Sequence, residues 1–478
     1  MISFIIAIVI LVIGYLTYGR VTEKVFSPDD RKTPAITMED GVDFVPIKTG
    51  KAVLIQLLNI AGTGPIFGAL MGACFGPVVF LWIVFGAILG GAVHDYMSGM
   101  ISERHKGASI AELSGIYLGK PALYIMRGFS VLLLLLTGTV FVTSPAALIG
   151  MLTPESLSNT FWIVVILFYY ILATLLPIDK IIGRLYPIFG VVLIIMAVSI
   201  GGASLLNPAY HIPEISLADL HPEGLPIWPF MFITVACGAI SGFHATQSPM
   251  IAKCMTSEKE GRKIFYGAMI IESLIALVWA AAGVAFYGGT QMLNEALSTA
   301  GQSGTVYEIS NTMLGPVGGI LAVIGVVVCP ITSGDTAFRS ARLILAEALH
   351  LNQTSMRNRL IITIPLLGVG AILTQLDFNI LWRYFSWSNQ TLAMISLWVA
   401  SAYLLKNSRK RYGAFITALP ATFMSAVSFT YILMAKEGLR LSAAIAYPAG
   451  ICFALILFGV FLTKLAKTGA LRANSAMS

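Results

Sequence analysis

Ionisable side chains stand in the middle of two apolar stretches of this chain, where charge is rare. His94 and Asp95 lie in one stretch and Glu272 lies in the other. A charge at mid-membrane costs about 2.5–3.5 kcal/mol on insertion scales, so such a residue normally faces a cavity or a partner. We therefore regard these three residues as candidate carriers of a coupling proton. The alternatives are a structural role for Asp95 beside a site, and a protonated Glu272 without a part in transport.

Glycine and proline interrupt a first apolar segment at Gly62, Gly64 and Pro65. Such residues remove helical hydrogen bonds, and unpaired backbone is tolerated in lipid only where it lines a cavity or is buried in protein. The freed amides would suit a carboxylate, and Asn59 and Thr63 could add side-chain contacts. The alternative is a kink that only permits close helix packing.

A second interruption covers residues 237–249 and offers Ser241, Gly242, His244 and Gln247 as substrate-binding candidates. His244 could bind substrate or titrate with the coupling proton; the alternative is a histidine that only bonds to a neighbouring helix. Two breaks at matching places in two halves of a chain indicate the binding site of a secondary transporter.

Two further polar stretches stand near the ends of apolar segments. Thr332, Ser333 and Thr336 offer hydroxyl oxygens that suit a sodium ion, and we expect the neighbouring Asp335 to cap a following helix. The second stretch, residues 382–391, contains Asn389, a further substrate-binding candidate. Its Arg383 could attract anionic substrate or pair with Asp377, and its aromatic residues could form an outer gate or anchor the interface.

The elements that position these groups are expected to be membrane helices. Of the 478 residues, 57% are hydrophobic and only 11% are charged, whereas soluble proteins carry about 25% charge. Apolar runs of about 20 residues predict an all-α polytopic membrane protein with thirteen spans, the first of which lacks the features of a signal peptide. The spans fall near 2–18, 52–73, 77–101, 123–150, 160–176, 186–206, 227–250, 264–288, 315–334, 360–376, 379–403, 413–434 and 442–464.

Basic residues predict the orientation of the spans. Of the 30 Lys and Arg residues, 26 fall in the loops and tail of one side and two, Lys436 and Arg440, in loops of the other. The positive-inside rule then places the N-terminus outside and the C-terminus in the cytoplasm. The net charge of +7 is explained by these loops and does not indicate nucleic acid as a partner.

The two breaks are five spans apart, so their helices run in opposite directions. This offset predicts two inverted repeats of five helices, over residues 52–206 and 227–403, within one transporter domain that covers residues 1–478. Residues 1–51 would form a first span and a cytoplasmic loop, and residues 413–464 two additional spans.

Seven short stretches carry a resemblance to a known family: Tyr18–Arg20, Asp40–Pro46, Ala61–Pro65, Gly91–Tyr96, Arg104–Gly107, Ser241–Ala245 and Ser333–Ala337. In this order they resemble the carbon starvation protein A family of bacterial transporters. The resemblance implies uptake of peptides or pyruvate across the inner membrane, by ion symport, during carbon starvation. It also implies kinship with the leucine-transporter fold, in which hydroxyls placed like Thr332, Ser333 and Thr336 bind sodium.

Other functions remain as alternatives. A sodium-coupled amino-acid symporter would use the hydroxyl set, whereas proton coupling would use the buried acids and histidines. A channel would need repeated polar rings, and a nutrient sensor usually needs a soluble signalling domain, which no loop here is long enough to form. The sequence shows no nucleophile elbow or phosphate loop, and its five cysteines lack metal-ligand spacing. We therefore expect neither an enzyme nor a cofactor; membrane lipid, a small substrate and a proton or sodium ion are the expected partners.

Overall fold

The protein is almost wholly helical in a computed structural model that describes residues 1–41, 43–175, 178–353, 355–408 and 411–477. Within these residues the only β-type pairing is an isolated bridge between Ile47 and Met255. The helices are α1 Ile2–Phe26, α2 Pro34–Thr37, α3 Thr49–Ala61, α4 Gly64–Ala73, α5 Val79–Arg104, α6 Ile110–Leu118, α7 Lys120–Leu152, α8 Asn159–Leu175, α9 Ile178–Leu206, α10 Phe232–Thr234, α11 Gly242–Ala252, α12 Glu258–Tyr287, α13 Thr290–Thr299, α14 Gly301–Ala348, α15 Met356–Leu373, α16 Phe378–Asn407, α17 Tyr412–Met434 and α18 Ala443–Met477.

Membrane-spanning helices make up most of the described chain. Nine of the described helices are long and apolar enough to cross a membrane, or ten when α3 and α4 count as one bent span. Each of the thirteen predicted spans coincides with a helix or a broken helix, but α8, α11 and α16 are not among those ten. The all-α membrane fold is therefore confirmed, and the thirteen-span topology stays a prediction. Residue 176, at the end of the fifth predicted span, and the loop residues Arg409 and Lys410 lie outside the described residues.

The first predicted break is present between α3 and α4, whose axes differ by 49°. Gly62 has φ +36°, which a residue with a side chain rarely adopts. A Cβ atom at Gly62 would also lie 2.5 Å from the ring of Phe141. Both the positive φ angle and the closeness of the Phe141 ring therefore require glycine at position 62.

The second break lies between α10 and α11, where residues 235–241 are not helical. Gly238, in the middle of this segment, has φ +86°. The two breaks contact each other, because a Cβ atom on Gly64 would lie 2.5 Å from Cys237 Sγ. Two breaks whose contacting residues, Gly64 and Cys237, are 173 positions apart in sequence thus lie side by side inside the helix bundle.

Asp335 does not cap a helix. It lies in the interior of α14 and forms a buried ion pair with Arg339, one turn further on, at 3.0 Å. The capping prediction was wrong because the apolar run and the basic segment after it form one helix through Ala348, so no new helix begins at this residue.

Candidate functional site

Helix α16 holds the second break open through two neighbouring amide side chains. Asn389 Oδ1 accepts hydrogen bonds from the Phe243 N–H at 2.7 Å and the Ser241 hydroxyl at 3.1 Å, and Asn389 Nδ2 donates to the Ala236 carbonyl. Gln390 Nε2 donates to the carbonyls of Phe232, at 3.0 Å, and Val235, at 3.2 Å. Buried backbone groups need such partners. The structure thus places Asn389 as a support of the break, with both ends of its amide in use.

The first break presents a row of polar side chains. Gln56 and Asn59 are three residues apart and share one face of α3, and Thr63 lies in the break itself, between α3 and α4. All three are at most 1% exposed, yet both amide atoms of Gln56, Asn59 Oδ1 and Thr63 Oγ1 have no hydrogen-bond partner among the described residues. An unpaired buried polar group costs about 1–3 kcal/mol. A bound polar molecule would remove this cost.

Gln56 was not among the predicted site residues. The signal that could have found it is its position three residues before Asn59, which puts it on the face that carries the predicted contacts. Gln247 from the second break, which was a predicted candidate, also has an unpaired group. Its Oε1 is buried and has no hydrogen-bond partner among the described residues, while its Nε2 donates to Thr246 at 3.0 Å.

A buried chain of acids and histidines runs beside the second break; we call His94, Asp95, His244 and Glu272 the acid–histidine chain. Asp95 Oδ1 lies 2.8 Å from His94 Nδ1, and Asp95 Oδ2 lies 2.7 Å from His244 Nδ1. The other ring nitrogen of His244, Nε2, lies 3.4 Å from Glu272 Oε2. All four side chains have no solvent exposure. Titratable side chains from α5, α11 and α12 thus form one continuous set of contacts.

The structure therefore places His244 in contact with both acids, Asp95 and Glu272. Sequence reasoning named these residues but did not predict that they touch, because their helices are far apart in the chain. Among the described residues no hydrogen bond satisfies either Glu272 oxygen. Glu272 thus differs from Asp95, whose two carboxylate oxygens each have a histidine partner.

A metal ion is the other species that this region could hold. Cys237 Sγ, a nitrogen of His244 and a Glu272 oxygen all lie within 4.8 Å of one another, and these ligand types suit zinc-like metals. However, the Cys237 thiol lies in hydrogen-bond contact with the Ser241 hydroxyl, at 3.4 Å, as a donor. Metal binding would require the thiol to release its proton, so these groups suit either a metal ion or proton exchange.

The predicted sodium set lies next to the first break. Ser333 donates to the carbonyl of Leu58 on α3 at 3.1 Å, which joins α14 to the first broken helix. Thr332 and Thr336 donate to the carbonyls of Cys329 and Ser333 within their own helix. The three hydroxyls thus reach the broken helix through Ser333.

Arg383 does not pair with Asp377, which was one of its two predicted roles. Its guanidinium forms an ion pair with Glu437, from the segment between α17 and α18. Asp377 instead caps α16, accepting from the Asn379 and Ile380 amides. The pairing prediction was wrong because a capping carboxylate folds back onto the first helical turn.

The chain is similar to known proteins in sequence. The chain matches the family model for carbon starvation protein CstA over residues 1–151, 149–295 and 317–431. It is 44% identical to an uncharacterized membrane protein of Haemophilus influenzae, over 62% of this chain and 94% of that one. It is 26% identical to the peptide transporter CstA of Campylobacter jejuni, over 93% and 82% of the two chains. It is 28% identical to the pyruvate/proton symporter BtsT of Escherichia coli, over 56% and 47%.

Solved structures show a similar fold. A mutant of the Eremococcus coleocola manganese transporter superposes with a TM-score of 0.52 at 15% identity, over 88% of this chain and 93% of that one. At such low identity the likeness concerns the fold alone. The family model, in contrast, matches most of the sequence. The chain belongs to the carbon starvation protein CstA family.

Proposed function

We propose that this protein is a secondary active transporter that imports a small carboxylate-bearing nutrient, a peptide or pyruvate, together with a proton. The chain is a multi-pass membrane protein of a bacterial family whose named members are transporters. One observation carries the proposal: two mutually contacting helix breaks place buried, unpaired polar groups beside a buried acid–histidine chain. Binding groups and proton-carrying groups therefore share one region.

In this proposal the first break binds the substrate. The amides freed at Gly62–Gly64 and the side chains of Asn59 and Thr63 would receive the carboxylate, because the N-terminus of α4 favours negative charge. Gln56 and Gln247 would contact the remainder of the substrate, and Ser241, Gly242 and Asn389 would shape the opposite wall. All these groups are buried, so the structure represents a closed form that must open to load.

The proton would travel on the acid–histidine chain. Glu272 lies next to the second break, so its protonation can influence the break, while Asp95 holds His244 in place. A neutral Glu272 would no longer attract the imidazole ring at 3.4 Å. Substrate binding and proton binding would then favour the same arrangement of the two breaks, which is the condition for coupling.

The proposed topology is two inverted five-helix repeats with the N-terminus outside. Packing supports the repeats, because the second helix of each one contacts the broken helix of the other. Asp95 on α5 meets His244 on α11, and Gly283 on α12 lies against Leu70 on α4. When two repeats are related by a two-fold axis, each contact between them is expected to occur twice, with the roles of the repeats exchanged.

Sodium coupling is a second candidate, favoured by one observation. Ser333 hydrogen-bonds to Leu58 on the first broken helix, so an ion held by the hydroxyl set would act directly on the first break. The uptake of labelled pyruvate and of a labelled dipeptide into proteoliposomes separates the two. Accumulation under an inward proton gradient, and none under a sodium gradient of equal size, is the expected result. Accumulation driven only by sodium would refute proton coupling, and no uptake of either compound would refute the proposed substrates.

A further inference from the structure

A cavity with polar residues in its lining lies outside the two breaks. It has a volume of about 180 Å³ and lies between the end of α4, the segment before α10, α13 and the beginning of α16. In the proposed orientation all these segments meet at the external face. We call this space the outer cavity; its polar lining includes Gln302, Asn379, Trp382, Arg383 and Ser386.

Two buried hydrogen-bonding groups in its lining have no partner. Trp382 and Ser386 are each 1% exposed, and neither Trp382 Nε1 nor Ser386 Oγ has a hydrogen-bond partner among the described residues. The two residues are four apart on α16, so they lie on the same face of the helix. An indole N–H can only donate. A molecule that pairs with the indole must therefore present an acceptor atom.

Two charged side chains of opposite sign, Glu223 and Arg383, line the outer cavity, and Arg383 is the one that neighbours the two unpaired donors on α16. Arg383, between Trp382 and Ser386 in sequence, also lines the outer cavity, and its side chain is 39% exposed. Glu437 bonds to its Nε, which leaves the other guanidinium donors for a second partner. Gln302 and Asn379 hydrogen-bond to each other at 3.1 Å and extend the polar wall. Donor groups next to an exposed cation recognise a carboxylate.

Trp382 also packs against α4 on the side of the outer cavity that faces the first break. Its ring packs against Phe67 on α4, with ring centroids 6.2 Å apart, and lies 3.4 Å from the position of a Cβ atom on Gly68. Further along α16 come Asn389 and Gln390, which hold the second break. One face of α16 therefore leads from the outer cavity to the breaks.

We infer that the outer cavity is a loading subsite, where a substrate carboxylate binds to Trp382 Nε1, Ser386 Oγ and the Arg383 guanidinium before it passes to the breaks. This inference rests on the proposed function, and it adds a selection step for carboxylates at the external entrance. Trp382 would bind the substrate in the outer cavity, and its side chain would have to move before the substrate could reach the breaks.

The test is the separation of KM from the maximal rate of uptake. Trp382→Phe keeps the ring and removes the donor, and Ser386→Ala removes the hydroxyl. Loss of a hydrogen bond to a charged group should raise KM about tenfold in each variant, with a maximal rate close to that of the unaltered protein. Matched controls on the same helix are Trp398→Phe, whose Nε1 bonds to Ser425, and Ser396→Ala, whose hydroxyl bonds to Leu392. Their KM should not change.

Occupancy can be measured without transport. Ser298 is exposed and lines the outer cavity. Ser298→Cys, in a protein whose exposed Cys452 is replaced by Ala, should react with an external anionic thiol reagent, and pyruvate or dipeptide should slow this reaction. Trp382→Phe should weaken the protection, and Ser158→Cys, in an exposed loop away from the cavity, should show none.

The outcomes distinguish this inference from the proposed function. Unaltered KM values in both α16 variants, together with substrate-driven uptake by the unaltered protein, would overturn the loading subsite and leave the transporter intact. If the unaltered protein takes up neither pyruvate nor the dipeptide, and neither compound slows the labelling of Ser298→Cys, both ideas fail. Protection without uptake would support the subsite and refute the proposed transport.

Discussion

Replacing Glu272 with glutamine is the sharpest perturbation of proton coupling. The amide has nearly the same size as the carboxylate, so the packing of α12 against the second break is preserved. Glutamine can still contact His244, which lies 3.4 Å from the native carboxylate, but it cannot carry a proton. The variant should therefore bind substrate and exchange it across the membrane while losing the ability to concentrate it.

The size of the effect follows from the number of protons. The acid–histidine chain contains one carboxyl group without hydrogen-bond partners among the described residues, Glu272, so we expect one proton per substrate. A gradient of one pH unit is worth about 1.36 kcal/mol per proton, which supports an accumulation of about tenfold for an anion carried electroneutrally. The Glu272→Gln variant should reach an internal concentration about equal to the external one.

The assay compares two modes of pyruvate transport in proteoliposomes. Uptake driven by a gradient of one pH unit measures coupling, and counterflow exchange with no gradient measures binding and movement alone. Glu112→Gln, at an exposed position on α6, is the matched control and should behave like the unaltered protein in both modes. Accumulation of about tenfold by Glu272→Gln would refute the role of Glu272 as the proton carrier.

Three further substitutions test the breaks and the competing ion. Gly62→Ala should destabilise the fold by about 1–3 kcal/mol, because φ is +36° there, whereas Gly50→Ala, at a helical position with open space around it, should not; equal melting temperatures in detergent would contradict the first-break geometry. Asn389→Ala should lower uptake at least tenfold, because the Phe243 amide in the second break loses its acceptor; uptake at the normal rate would show that the break does not need this support. Ser333→Ala should leave the ion dependence of uptake unchanged, and loss of a sodium-dependent component in flux assays would instead favour sodium coupling.

Some features of the site could be predicted because they depend on local sequence. Gly62, Gly64 and Pro65 cannot continue a regular helix, so the first break is visible in the sequence alone, and the structure confirms it. The all-α membrane fold follows equally from composition. Family membership was also visible in short motifs, because these contain the glycines and polar residues of the breaks.

Other features depend on contacts between distant segments and could not be predicted. Nothing in the local sequence around Asp95 indicates that its partner is His244, since the contact exists only after α5 packs against α11. The same holds for the Asn389 amide, whose bonds to the second break make it a support. Asp335 was assigned to a cap because a polar cluster after an apolar run usually ends a helix, but here the helix continues.

The central claim is that a proton crosses the membrane with the substrate through the acid–histidine chain. Its most direct test is the internal pH of proteoliposomes, recorded with a trapped dye while pyruvate or a dipeptide is added outside without any imposed ion gradient. The account predicts that the substrate acidifies the interior when the unaltered protein is present, and that neither Glu272→Gln proteoliposomes nor protein-free vesicles respond. Uptake of labelled substrate by the unaltered protein with no change in internal pH would contradict it.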